Sequence, residues 1–363
     1  MDKSSDKKES PEYLRVSLAA AMTLGFKKGL FYRDARLYCI NLLLTYCEGC
    51  SARCSYCGLS NNRPGTYDKK SFIRVKWPQY SLDEIIERIS GRHDRVKRIC
   101  ISMITNKRSI KDTKDICMRL GSSFDIPVSL LISPSLLKYE DLVDFKSSGA
   151  DKIGVAIDLA TEDLFDKYRG KEVKGPHKWK TYWKCLEDSI SVFGEGNAGA
   201  HFMTGMGETE REMCEAIQKV RDMEGRTHLF SFFPEAGSMM SEHSVPPMAQ
   251  YRRIQIARYI IDNRIGHADH FSFNKSSRII NFGLTDNELE DIINTGEAFR
   301  TSGCEGYDGQ VACNRPFANS RPGPEMRNYP FKPEEKDIAR IKNQLTAGQV
   351  FKNLIDSTAT NGN

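Results

Sequence analysis

The sequence predicts an α/β fold, a TIM-type (β/α) barrel that is full or nearly full. Short apolar runs alternate with amphipathic stretches along the 363 residues, the pattern of parallel strands joined by helical crossovers. Seven such runs occur, at 38–45, 98–104, 127–132, 152–158, 200–204, 229–233 and 270–273. At this length the chain can fill one large α/β barrel or two smaller domains, and one-domain barrels of roughly 250 residues are common.

In chain order, the polar opening MDKSSDKKESPE (1–12) reads as a loose tail. Residues 1–30 form an N-terminal tail and helix, 31–300 the barrel, and 301–363 a C-terminal extension whose last residues, 357–363, are a second tail. After the first strand, Ser81-Leu-Asp-Glu84 is a capping box opening a helix with Ile85, Ile86 and Ile89 on its inner face. A second helix, 110–120, is stopped by Gly121. Residues 179–193, 208–223, 248–262 and 286–299 carry apolar residues at three- and four-residue spacing and read as helices. Residues 302–331 have neither helix nor strand period and are rich in Gly, Pro and Asn. A long loop of that kind, holding Cys304, Cys313, Arg315 and Arg321, points to function.

Composition narrows the class. A net charge of +5 is mild and dispersed, which argues against nucleic acid as partner; Lys27–Lys28 and Lys69–Lys70 read as solvated surface. No apolar run approaches the about 18 residues needed to cross a membrane. Eleven cysteines without the apolar region of a signal peptide argue against a disulfide framework and for a reducing, cytoplasmic setting.

The chemistry concentrates in CEGCSARCSYCGLS, directly after the first strand, YCINLLLT. Cys50, Cys54 and Cys57 form a C-x3-C-x2-C triplet on one tight loop. Three thiolates can hold three corners of a 4Fe–4S cubane and leave the fourth iron open to a small molecule. A structural zinc site is the competing reading, and it normally needs a second C-x2-C knuckle, which the chain lacks. The loop follows the C-terminal end of a strand, where barrel enzymes carry their active sites.

This run resembles the cluster motif of the radical S-adenosylmethionine (SAM) enzymes. The resemblance implies that SAM chelates the open iron and is cleaved to a 5′-deoxyadenosyl radical, with Tyr56 beside the adenine. HFMTGMGETERE resembles the G-x-G-E-T element of the biotin synthase and lipoyl synthase branch, which implies SAM contacts from Gly205, Gly207 and Glu208. In VAIDLATEDLFDKYRGK, Asp158 matches a polar residue that contacts ribose or substrate; an N-cap role for Asp158 or Thr161 is equally open. ICISMITN stands where relatives carry Gly-Gly-Glu for the SAM amino group; Ser102 and Thr105 replace it only partly.

Cys117, Cys185 and Cys214 lie on helical apolar faces and read as core. Cys100 faces either the lumen or the helical layer. The CNRPFANSRPG segment, the barrel pattern and the triplet together resemble the two-protein lipoyl synthases over about residues 30–331. That resemblance implies a second, sacrificial 4Fe–4S auxiliary cluster, for which Cys39, Cys47, Cys304 and Cys313 are the candidate ligands. It further implies a radical SAM sulfurtransferase acting on an octanoylated carrier protein or lipoyl domain, first at C8. A companion lipoyl synthase protein and a ferredoxin or flavodoxin reductant would be its partners. Biotin synthesis is disfavoured, because Cys39 and Cys100 are too few strand cysteines for its auxiliary site. The alternatives are a one-cluster mutase or methylating enzyme, and an iron–sulfur electron carrier or redox sensor.

Overall fold

The computed structural model describes residues 8–33, 35–316, 323 and 325–346. Its strands are β1 (Tyr13–Val16), β2 (Cys39–Leu44), β3 (Gln79–Ser81), β4 (Arg98–Ser102), β5 (Val128–Ile132), β6 (Ala150–Asp158), β7 (Ala198–Thr204) and β8 (Arg226–Ser231). They form one sheet in the order β3-β1-β2-β4-β5-β6-β7-β8. From β2 to β8 all neighbours are parallel, whereas β1 joins both β2 and β3 antiparallel. Every residue of β2 is buried, as expected of a parallel strand covered on both faces.

Six of the seven expected strands are these parallel ones. The seventh is not in the main sheet. Ser272–Phe273 (β9) pairs instead with Ile279–Asn281 (β10) as a separate antiparallel ribbon. The Asn274 side chain accepts from the backbone N–H groups of Ser276 and Arg278 at 2.9 and 3.0 Å, folding the chain straight back. Among the described residues β3 and β8 do not pair, so the barrel stays open between them.

The start of the chain is less loose than its composition suggests. Ser10 pairs with Thr45 through its backbone N–H at 2.9 Å and its hydroxyl at 3.0 Å, and Glu9 pairs with Arg108 at 2.7 Å. Arg15, buried on β1, donates to the carbonyls of Trp77, Tyr67 and Lys70 and so fastens the loop that follows the cysteine triplet.

The helices are α1 (Leu18–Thr23), α2 (Leu82–Ser90), α3 (Ser109–Ser123), α4 (Tyr139–Ser147), α5 (Glu162–Tyr168), α6 (Trp179–Phe193), α7 (Glu210–Asp222), α8 (Met248–Asp262), α9 (Asp286–Thr295) and α10 (Glu335–Thr346). The capping box of Ser81 and Glu84 opens α2. Gly121 does not stop α3, which runs on to Ser123; a Cβ at Gly121 would meet nothing. Gly296, at φ +74°, stops α9 early. Arg252 on α8 donates to the carbonyls of Met326 and Arg327 at 2.7 and 2.6 Å, tying the C-terminal segment to the helical layer. Among the described residues no helix is long and apolar enough to cross a membrane.

Candidate functional site

Because strand side chains alternate between faces, each parallel strand sends every second residue into the lumen. Two spaces result along one axis. The upper one, about 220 Å³, opens at the C-terminal strand ends and is lined by Cys50, Cys54 and Cys57. The lower one, about 20 Å³, lies towards the N-terminal strand ends. His201, Leu131, Phe230 and Arg315 line both.

The triplet loop is held by main-chain bonds to three other segments. Ser51 N–H donates to Thr105 at 2.8 Å, Ser55 N–H to Tyr168 at 2.7 Å, and Met240 N–H to Ser55 at 3.2 Å. Leu59 N–H donates to Cys57 Sγ at 3.4 Å. Burial, reinforced by Cys54 and Cys50 close by, pushes the Cys57 thiol well up; burial pushes Cys54 up to about 11 against the opposing charge of Arg169. Such thiols stay protonated unless a metal takes the proton's place. Among the described residues no three His, Cys, Asp or Glu converge on a single ion. A cubane does not require convergence, because each thiolate anchors its own iron. The donor chemistry, the spacing and the cavity therefore fit a cubane on this loop.

Tyr56 and Asp158 meet beside the triplet. Tyr56 donates its hydroxyl to Asp158 Oδ2 at 2.6 Å, and Arg169 Nη1 reaches the same oxygen at 2.7 Å. Asp158 ends β6 at φ +68°, a left-handed conformation that short polar residues tolerate. Arg169 Nη2 donates to Tyr182 at 3.0 Å, and the Tyr182 and Ser135 hydroxyls flank His177 Nδ1 at 2.9 and 2.7 Å. Burial, with Arg169 adding to it, drives His177 down to about 2, so its ring is neutral. Tyr56, Asp158, Arg169, His177 and Tyr182 all line the upper space. Sequence reasoning singled out Tyr56 and Asp158 but missed Arg169 and His177. Both sit in the irregular stretch between α5 and α6, where no periodicity marks them.

The glycine turn has a different placement. Glu208 accepts from the N–H groups of Gly205 and Met206 at 2.7 and 2.9 Å and is buried. Gly205 has φ +101°, and a Cβ there would lie 2.5 Å from Pro246. The carboxylate and both glycines thus build the β7–α7 connection, and none of the three lines the upper space. Thr105 does line it, with its hydroxyl 2.8 Å from Ser133; Ser102 is buried away from it.

The remaining thiols separate cleanly. Cys117, Cys185 and Cys214 are buried on helices α3, α6 and α7. Cys100 points inward and lines the lower chamber with Cys304 and Cys313. Cys39 is hydrogen-bonded to Cys313, and the Asn41 amide lies 3.5 Å from both sulfurs. Cys47 does not join them. It is exposed beyond the other end of β2, and the strand between Cys39 and Cys47 spans about 20 Å at roughly 3.3 Å per residue. Of the four expected thiols, Cys304 and Cys313 line the lower chamber together with Cys100, Cys39 touches Cys313 from outside it, and Cys47 lies apart.

Local structure explains why Cys304 and Cys313 meet. Glu305 and Val311 form an antiparallel bridge, Gly306 N–H donates to Gln310 at 2.8 Å, and the Ala312 and Cys313 N–H groups donate to the Cys304 carbonyl at 3.0 and 3.1 Å. A Cβ on Gly303 would fall 1.8 Å from the Cys313 carbonyl oxygen, so only glycine permits this approach. Arg98 anchors the hairpin, pairing with Asp151 at 2.6 and 2.7 Å and donating to the Glu305 carbonyl. Arg315 is hydrogen-bonded to Cys313 and lines the chamber; Arg321 lies outside the described residues.

Residues 44–220 match the family model of the radical SAM superfamily. Among solved structures, the chain is similar to the FeFe-hydrogenase maturase HydG from Carboxydothermus hydrogenoformans, at 13% identity and TM-score 0.48 over 68% of this chain and 56% of that one. It is similar to another HydG structure, a maturase of the FeFe-hydrogenase, at 9% identity and TM-score 0.50 over 68% and 54% of the two chains. At such identities the second likeness speaks for the fold alone, and this chain spans little more than half the length of either structure. No curated protein matches the sequence.

Proposed function

We propose that this chain is a radical SAM enzyme, a reading supported by the match of residues 44–220 to that superfamily's model, and that it inserts sulfur into an alkyl chain. The substrate we assign is an octanoyl group on a lysine of a carrier protein or lipoyl domain, attacked first at C8, with a companion synthase completing the product. When bound at Cys50, Cys54 and Cys57, a 4Fe–4S cluster with SAM supplies a radical able to take hydrogen from an unactivated carbon, given an electron from a ferredoxin or flavodoxin. A second iron–sulfur cluster among Cys100, Cys304 and Cys313, with Cys39 behind them, would supply the sulfide.

One observation carries this reading: the triplet pocket and the lower thiol chamber share His201, Leu131, Phe230 and Arg315 as common walls. A slender substrate entering beside the triplet would therefore end against the second set of thiols. The upper wall is largely apolar, with Met103, Ile132, Met203 and Phe232 among its residues, which suits a hydrocarbon chain and excludes water from a reactive carbon. His177 and His201 are held neutral by burial, so neither places a charge on that path. The chamber as it stands has room for about one water, so seating a cluster there requires its lining thiols to move apart.

Anaerobic reconstitution tests the reading. Two cubanes give about eight irons per chain, and the loaded protein is expected to form 5′-deoxyadenosine and thiolate an octanoyl-lysyl peptide. About four irons with SAM cleavage but no thiolation would instead identify a one-cluster mutase or methylating enzyme. No SAM cleavage at all would identify an electron carrier.

A further inference from the structure

The geometry points to His228 Nε2 as the fourth protein ligand of the metal centre in the lower chamber, beside Cys100, Cys304 and Cys313. This inference rests on the two-cluster reading above and adds a nitrogen donor to it. His228 projects from β8 into the chamber, and the side chains with metal-binding atoms that line that space are Cys100, Cys304, Cys313, His228 and His201. Cys39 is not among them; its sulfur is engaged by Cys313 and Asn41.

The two histidines differ in how they are held. His228 Nδ1 is hydrogen-bonded to the carbonyl oxygen of Ser302, so Nδ1 carries the proton. Ser302 is itself fixed, because its hydroxyl accepts from Leu229 N–H at 2.8 Å on the same strand. The ring's tautomer and tilt are thus set by main-chain contacts, and Nε2 is left with its lone pair 3.9 Å from Cys304 Sγ. A ring whose one nitrogen donates to a carbonyl while the other faces thiols is the arrangement of a metal-ligating histidine. His201, edge-on to His228 with ring centroids 4.9 Å apart, has no such clamp among the described residues. Replacing one thiolate by a neutral imidazole removes negative charge from the centre and makes it easier to reduce than an all-thiolate cluster.

The test uses the full chain, reconstituted anaerobically with iron and sulfide, in unlabelled form and with ¹⁵N-histidine. Pulsed electron paramagnetic resonance of the reduced second cluster is expected to carry a nitrogen coupling that changes with the label and disappears in His228→Gln. His228→Cys should keep the full iron content, lose the coupling and lower the reduction potential, which keeps the inference testable if the glutamine variant fails to fold. A wild-type protein with about eight irons and no labelled coupling, or a coupling that survives in His228→Cys, would overturn histidine ligation and leave the two-cluster reading intact. About four irons in the wild type would sink both.

Discussion

Cys39 and Cys313 are hydrogen-bonded to each other across the floor of the barrel, joining the first parallel strand to the C-terminal hairpin. The pair is asymmetric. Burial pushes the Cys39 thiol well up, whereas its hydrogen bond, with help from Arg315 and Asn41, holds Cys313 well down. Cys39 is therefore the donor of this contact and Cys313 its acceptor.

Position separates Cys100 from Cys47. Cys100 lines the chamber, and Cys47 is exposed beyond the far end of β2. Cys100→Ala should lower the iron content of the reconstituted protein by about four per chain, and Cys47→Ala should leave it unchanged. Equal iron in the two variants, measured alongside sulfide, would contradict this assignment.

A variant that touches no ligand probes the same chamber. In Gly303→Ala the new methyl would have to displace the Cys313 carbonyl, 1.8 Å away, and with it the hairpin. Second-cluster iron and thiolation should fall severalfold while 5′-deoxyadenosine still forms, because the triplet loop is held by other segments. Normal thiolation by this variant would show that the hairpin's close approach is dispensable.

Glu208 gives a pH dependence with a defined sign. Burial raises its carboxyl from 4.5 to about 7 in the folded chain. A raised carboxyl means that the folded state binds the proton more tightly, so stability is highest below the unfolded value and declines as pH rises from 4.5 to about 7. The loss is about 3 kcal/mol over that window, at about 1.4 kcal/mol per unit. Denaturant unfolding across this range should show wild type losing that much relative to Glu208→Gln, whose side chain does not titrate. Parallel profiles would remove Glu208 as the cause.

Much of this was legible in the sequence, and for a physical reason. The parallel strands are buried on both faces and so read as apolar runs, and the triplet's spacing is itself the chemistry. β1 was hidden because only Leu14 and Val16 face the core, inside a stretch whose neighbours are polar. Ser272–Phe273 was misread because a two-residue ribbon and a barrel strand look alike over so short a run. The facing of Cys100 stays open in the sequence because strand alternation alone does not tell lumen from helical layer. Closeness in sequence to the triplet said nothing of the length of β2 that separates Cys47 from the chamber. His228 and Arg169 left no signal, since each matters through partners far away in the chain.

The central claim is that one lumen joins radical generation at the triplet to sulfur supply at the lower thiols. The measurement that tests it most directly is product analysis of the Cys304→Ala/Cys313→Ala double variant with SAM, dithionite and an octanoyl-lysyl peptide. The account predicts uncoupling: iron lower by about four per chain, 5′-deoxyadenosine still formed, and no thiolated peptide. Full iron content with normal thiolation would contradict it.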